Sequence, residues 1–238
     1  MPSPEAVAEA RAKVGMHLVE LDPLHYTVRF LRAGVMLDLG AIGKGYAVEQ
    51  AMQLITEAGV TRALLHGGTS SIATLGAPPD ADAWNVGIEM PAAMRGSAQE
   101  SRAEPNGRAE TRSFALRVGG NLSPGGVGGR EVLAVVPLRN ASLSVSAVRG
   151  KCFEAAGRTY GHVIDPHSGH PAAAAVLAAV VLPSPTEADA LSTALLTLGS
   201  AGWDGLLRHR PAMKGLVVES TPDPGPLRVE ARGIRLRA

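Results

Sequence analysis

Strand-like runs follow one another almost directly through most of this chain, and that succession narrows the fold more than any other feature. HLVEL and YTVRFL, RALLHG and SSIATL, WNVGIEM, EVLAVVPL and ASLSVSAV, and finally GLVVES and LRVEA are short, apolar or β-branched, and punctuated by Gly, Pro, Asn or Asp. Strands that succeed each other without a helix between them pair antiparallel, because a parallel pair needs a long crossover. AAVLAAVVLP reads as a buried strand by length and apolar content, although its alanines would also suit a helix. VMLDL reads as a further strand leading into a Gly-rich turn. Helical signals are confined to residues 4–14, about 45–58, 186–198 with Thr186 as candidate N-cap and Gly199 as stop, and about 203–208. The expectation is an α+β fold of mixed, largely antiparallel sheets with packed helices, in a single domain over residues 1–238.

Residues 92–130 break the pattern, being rich in Gly, Arg, Ser, Pro and Glu around the short strand-like segment SFALRVG, and read as a surface insertion. A formal charge of +1 excludes a general attraction to nucleic acid or acidic membranes. The lone Cys152 cannot form an internal disulfide, and no Cys/His cluster has zinc spacing. MPSPEAVAEARAKVG lacks the apolar stretch of a secretory signal, and no run reaches the ~18 apolar residues of a membrane helix. The chain as written is therefore expected to be cytoplasmic, or to belong to the bacterial periplasm or cell envelope if a leader precedes it.

Three segments carry residue types suited to chemistry. In Asp38-Leu-Gly-Ala-Ile-Gly-Lys-Gly-Tyr-Ala47, three glycines and Lys44 stand at the start of a helix. Glycines let backbone approach a phosphate, helix-terminal amides donate to it and Lys44 adds a positive charge, though a tight structural turn explains the same glycines. In Glu187-Ala-Asp189-Ala-Leu-Ser-Thr193, Asp189 and Thr193 are four apart, so a helix presents both oxygens on one face. That pair suits Mg²⁺, which takes few protein oxygens; the alternative is a helix first turn with acids complementing the dipole and Thr193 bonded to its own backbone. In Tyr160-Gly-His162-Val-Ile-Asp165-Pro-His167-Ser-Gly-His-Pro171, Asp165 is either part of a site or the cap of a Pro/Gly turn. His162 on a strand is either a base or a structurally satisfied imidazole.

Taken in order, LDLGAIGKGYAVEQ, LLHGGTSS, WNVGIEMP, YGHVIDPHSGHP and EADALSTALLTLG resemble the ApbE family of FAD:protein FMN transferases, across about residues 5–218. The resemblance implies Mg²⁺-dependent transfer of FMN from FAD to a Ser or Thr of a flavin-acceptor protein, with release of AMP. It implies that Asp38, Lys44 and the backbone near Ile164 contact FAD. Asp189, Thr193 and the Ala41 carbonyl would hold the metal, and His162 would be the base that activates the acceptor hydroxyl. Family members also carry Met-Gly-Thr and Phe-Asp-x-Thr stretches that help hold the flavin, and neither occurs in these 238 residues. The family's Thr-Ser-Gly turn stands here as Val145-Ser146-Ala147, with Arg149 where a Tyr follows. Beside transfer, the alternatives are an FAD pyrophosphatase and a catalytically impaired FAD-binding homologue.

Overall fold

The computed structural model describes residues 2–89, 116–118, 132–148, 152–155, 158–220 and 227–236, with backbone alone for 116–118, 152–155 and 158–159. Helix α1 (Pro4–Arg11) leads to the hairpin β1 (Val19–Asp22) and β2 (Thr27–Phe30), then to helix α2 (Gly43–Glu57). Next come β3 (Ala63–Gly67), β4 (Ser71–Leu75), β5 (Trp84–Glu89), β6 (Leu116–Val118), β7 (Val132–Leu138), β8 (Ser142–Ala147), β9 (Cys152–Ala155) and β10 (Arg158–Gly161). The chain continues through β11 (Leu177–Leu182), α3 (Pro185–Leu198), α4 (Trp203–His209), β12 (Lys214–Ser220) and β13 (Leu227–Arg232).

The main sheet has six strands in the order β13-β12-β11-β8-β4-β3, every neighbouring pair antiparallel. A second sheet, β6-β5-β7, and the hairpins β1-β2 and β9-β10 are antiparallel as well. The period-two alternation of the strands decides how these pieces stack. Leu143 and Val145 of β8, Leu177 and Ala179 of β11, and Leu216 and Val218 of β12 face the second sheet, meeting Val86, Ile88, Leu133 and Val136. The intervening Ala178, Val180, Leu182 and Val217 face the helices, packing with Ala188, Leu195 and Leu196 of α3 and Trp203 of α4. The main sheet is thus buried on both faces, which is why AAVLAAVVLP is a strand despite its alanines: small residues let α3 lie close on it. The α+β reading and its antiparallel pairing are borne out.

The structure departs from the sequence reading in three places. VMLDL forms no strand; Met36, Leu37 and Leu39 are exposed, and the backbone bonds locally, with Ile42 and Gly43 N–H both donating to the Leu39 carbonyl. A strand needs a partner to satisfy its ladder, and among the described residues none pairs with this one. The N-cap of α3 is Ser184, whose Oγ accepts from Glu187 N–H, and the Thr186 hydroxyl goes instead to Glu49. The last residue of β10 is Gly161, so His162 lies just beyond a strand rather than on one. The proposed insertion at 92–130 lies outside the described residues except for β6, which pairs with β5. Among the described residues no helix is long and apolar enough to cross a membrane.

The β1-β2 hairpin stands apart from both sheets. Its register places Val19 opposite Phe30 and Leu21 opposite Val28, giving one apolar face, yet Leu21, Val28 and Phe30 are all exposed.

Candidate active site

The site forms where the start of α2 meets α3. Helix α2 begins without a cap of its own, since its N-cap residue is Ile42, which offers no side-chain acceptor. The orphan amides of a first turn need one. Asp189, in the first turns of α3, supplies it from elsewhere in the chain: Gly45 N–H donates to Asp189 Oδ2 at 2.9 Å. Asp189 is 2% exposed, and its carboxylate lies at the positive end of the α2 dipole. The helices approach so closely because position 45 is glycine. A Cβ there would stand 2.4 Å from the Pro185 carbonyl oxygen and 2.8 Å from Asp189 Cβ. Glu49, one turn further along α2, fixes the same junction by accepting from Ser184 Oγ at 2.9 Å, from Thr186 N–H at 3.2 Å and from Thr186 Oγ1.

A buried carboxylate is tolerated only when charge and hydrogen bonds compensate its desolvation. Here Lys44 Nζ lies 3.7 Å from Asp189 Oδ1, its own side chain half exposed at 49%. Ser144 Oγ donates to the same Oδ1 at 3.1 Å, with Ser71 Oγ at a longer 3.4 Å. Thr193, one turn along α3, donates to the Asp189 carbonyl at 3.3 Å and lies 3.0 Å from Ser146 Oγ. Ser192 donates to that carbonyl at 2.9 Å and is 2.8 Å from Ser146 Oγ. The result is one carboxylate in a nest of hydroxyl oxygens, approached from the solvent side by a cation.

The other expected site residues lie on two flanking segments. Asp38 and Ala41 belong to the loop that enters α2, where Asp38 Oδ1 accepts from Gly40 N–H at 2.6 Å and shapes the turn. His162 and Ile164 follow β10 and are exposed; Ile164 forms an isolated bridge with Pro171. Val163, between them, belongs to the same packed cluster as Leu191 and Ala194, which lays this segment against the α3 side of the fold. Asp165 caps the turn beyond, accepting from His167 N–H at 2.9 Å and Ser168 N–H at 3.2 Å. The His167 amide, then Ser168, hold its carboxyl down at about 2. Lys44, Asp189 and Thr193 are therefore brought together directly, whereas Asp38, Ala41, His162 and Ile164 sit on neighbouring loops.

The serines around Asp189 escaped the sequence reading. Their signal was present: ASLSVSAV puts Ser142, Ser144 and Ser146 at period two on a strand with apolar residues between them. On a strand buried on both faces, a polar stripe requires a polar partner. Glu49 left no comparable trace.

The fold is that of solved ApbE structures. The ApbE protein of Thermotoga maritima superposes with a TM-score of 0.69 at 21% identity, covering 98% of this chain and 62% of its own. The flavinyl transferase ApbE of Pseudomonas stutzeri in its apo form gives 0.68 at 24% identity, covering 98% and 60%. The sequence model of the ApbE family matches residues 1–217, and the chain belongs to that family. Among curated relatives, the FAD:protein FMN transferase of Treponema pallidum is 30% identical over 232 residues, which is 92% of this chain and 54% of the relative. That of Salmonella typhimurium is 24% identical over 203 residues, 84% of this chain and 48% of the relative. The chain thus spans about half the length of the curated relatives it matches.

Proposed function

We propose that this chain is a Mg²⁺-dependent FAD:protein FMN transferase, its 238 residues acting as one domain that labels a Ser or Thr of a flavin-acceptor protein. The observation that carries the reading is the buried Asp189 carboxylate, joined to the α2 N-terminus beside Lys44 and followed one turn later by Thr193, in a member of the ApbE family. The donor set fits a hard cation: one carboxylate, a hydroxyl and a backbone carbonyl are all oxygen, and Mg²⁺ completes such a shell with water and phosphate. Asp189, Thr193 and the Ala41 carbonyl would hold it, and when bound it neutralises pyrophosphate charge in the transition state.

Asp38, Lys44 and the backbone near Ile164 bind and orient FAD, with Lys44 close enough to the carboxylate to share its charge with a phosphate. His162 accepts the proton of the acceptor hydroxyl, which is a poor nucleophile near neutral pH and needs a positioned base. The hydroxyl oxygen then bonds to the FMN-side phosphorus as the bond from that phosphorus to the bridging oxygen breaks. AMP departs with that oxygen, and the acceptor carries FMN through a phosphoester.

Incubating the protein with FAD, Mg²⁺ and a flavin-acceptor domain is expected to give a fluorescent acceptor band on a denaturing gel, one AMP per FMN transferred, and loss of both on adding a chelator. His162→Ala should slow transfer at least ~100-fold, the low end for a positioned proton acceptor, and Lys44→Met by roughly 100-fold, as for loss of a group that stabilises transition-state charge. No band, with a full-length family member working alongside, would sink the proposal, and AMP without labelled acceptor would identify a pyrophosphatase instead.

A further inference from the structure

We propose that Ser144, backed by Ser71, is a positioning residue that fixes the Asp189 carboxylate for metal binding; the inference rests on the metal role proposed for Asp189. Each serine hydroxyl has one proton, so the network can be ordered by asking where each proton goes. Ser144, fully buried on β8, reaches Asp189 Oδ1 at 3.1 Å and the Ser70 carbonyl at 3.2 Å. A carboxylate is the stronger acceptor, so the Ser144 hydroxyl donates to Asp189 Oδ1. Ser71, 1% exposed on β4, has Ser144 Oγ at 3.3 Å and Asp189 Oδ1 at 3.4 Å, so both of its choices point inward. Ser192 and Thr193 direct their protons to the Asp189 carbonyl. Donors therefore converge on one residue from β4, β8 and its own helix, while Gly45 N–H holds the second carboxylate oxygen.

That convergence fixes which way the carboxylate lone pairs point. With Oδ2 tied to the α2 amide and Oδ1 steadied by Ser144, the carboxylate plane is held. Thr193 turns its proton toward the helix carbonyl, and with Ser146 donating to the nearer Ser192 Oγ at 2.8 Å rather than to Thr193 at 3.0 Å, Thr193 Oγ1 keeps lone pairs for a cation. Losing the Ser144 donor leaves Oδ1 with the long Ser71 contact and the half-exposed Lys44. Partners of this kind, which touch a ligand residue rather than the metal, typically change metal affinity by ~10 to 100-fold when removed. Ser142 supplies an internal comparison. It lies two residues earlier on the same face of β8, is equally buried, and donates to the Leu182 carbonyl at 2.6 Å rather than to Asp189.

The test is Mn²⁺ binding to the 238-residue protein, followed by the loss of the free-ion electron paramagnetic resonance signal and competed with Mg²⁺. Ser144→Ala should weaken Mn²⁺ binding at least ~10-fold, Ser71→Ala by less, and Ser144→Thr, which keeps the hydroxyl, should restore most of the affinity. Ser142→Ala should bind as the unaltered protein does. In the transfer assay, Ser144→Ala should need more Mg²⁺ yet recover its kcat and its KM for FAD at saturating metal, a split that a general loss of structure would not give. Equal Mn²⁺ affinity in Ser144→Ala and unaltered protein overturns the inference and leaves the metal role of Asp189 standing. Equal weakening by Ser142→Ala overturns it too, and failure of the unaltered protein to bind Mn²⁺ overturns both.

Discussion

Replacing Gly45 by Ala tests the junction that builds the site, and Gly43→Ala is its control. The two glycines lie two residues apart in the first turn of α2, so the substitution is chemically the same. At position 45 the new Cβ would meet the Pro185 carbonyl oxygen at 2.4 Å and Asp189 Cβ at 2.8 Å, against the ~3.5 to 4.0 Å of relaxed carbon contacts. Neither neighbour is the free end of a flexible side chain, so α2 must retreat from α3, which stretches the Gly45 amide bond to Asp189. Overpacking costs about 1–3 kcal/mol. A hydrogen bond to a charged group contributes about 1.5–3 kcal/mol, part of which is lost. Against this, Ala gains about 0.5–1 kcal/mol over Gly in a helix. The net expectation is a destabilisation of about 2–3 kcal/mol, or a fall in Tm of roughly 4–12 °C for a chain of this size. At position 43 nothing lies within 4 Å of the new Cβ, and the same propensity gain stands alone, raising Tm by roughly 1–4 °C. Thermal unfolding followed by circular dichroism reads both. A Gly45→Ala protein as stable as its parent, or two variants shifting in the same direction by the same amount, would refute the packing argument.

Two further outcomes follow from other parts of the structure. The Asp165 carboxyl, pulled down to about 2 by the His167 amide and then by Ser168, should titrate by NMR near that value. Its contribution to the turn is fully present above the unfolded carboxylate pKa of about 3.9 and is lost as pH falls from there through about 2, so a midpoint near 4 would contradict the cap. Backbone amides of the β1-β2 hairpin, whose apolar face is exposed, should exchange with solvent far faster than those of β8 and β11, each paired on both sides. Comparable protection by mass-spectrometric exchange would mean that the hairpin is buried in solution.

The chain's local chemistry was sufficient for its elements. Period-two apolar runs, Pro and Gly punctuation and the Gly199 stop gave most of the strands and the four α-helices of the described residues, because these signals act within a few residues and need no knowledge of partners. The same locality placed Asp189 and Thr193 on one helical face and offered a turn cap as one of two readings of Asp165, which the structure selects. Partnership was beyond its reach. VMLDL has a strand's composition but no edge to pair with, so it stays a loop. Thr186 has a capping residue's chemistry, but Glu49 of another helix takes its hydroxyl and Ser184 caps α3 instead. Most of all, α2 finds its missing cap 144 residues away in Asp189, and that carboxylate finds its donors on two strands that no spacing rule connects to it. Sequence determined which groups could hold a charge; only the packing of α2 and α3 over β4 and β8 decided that they would hold the same one, because buried polar groups are satisfied by whatever the fold brings within hydrogen-bond reach.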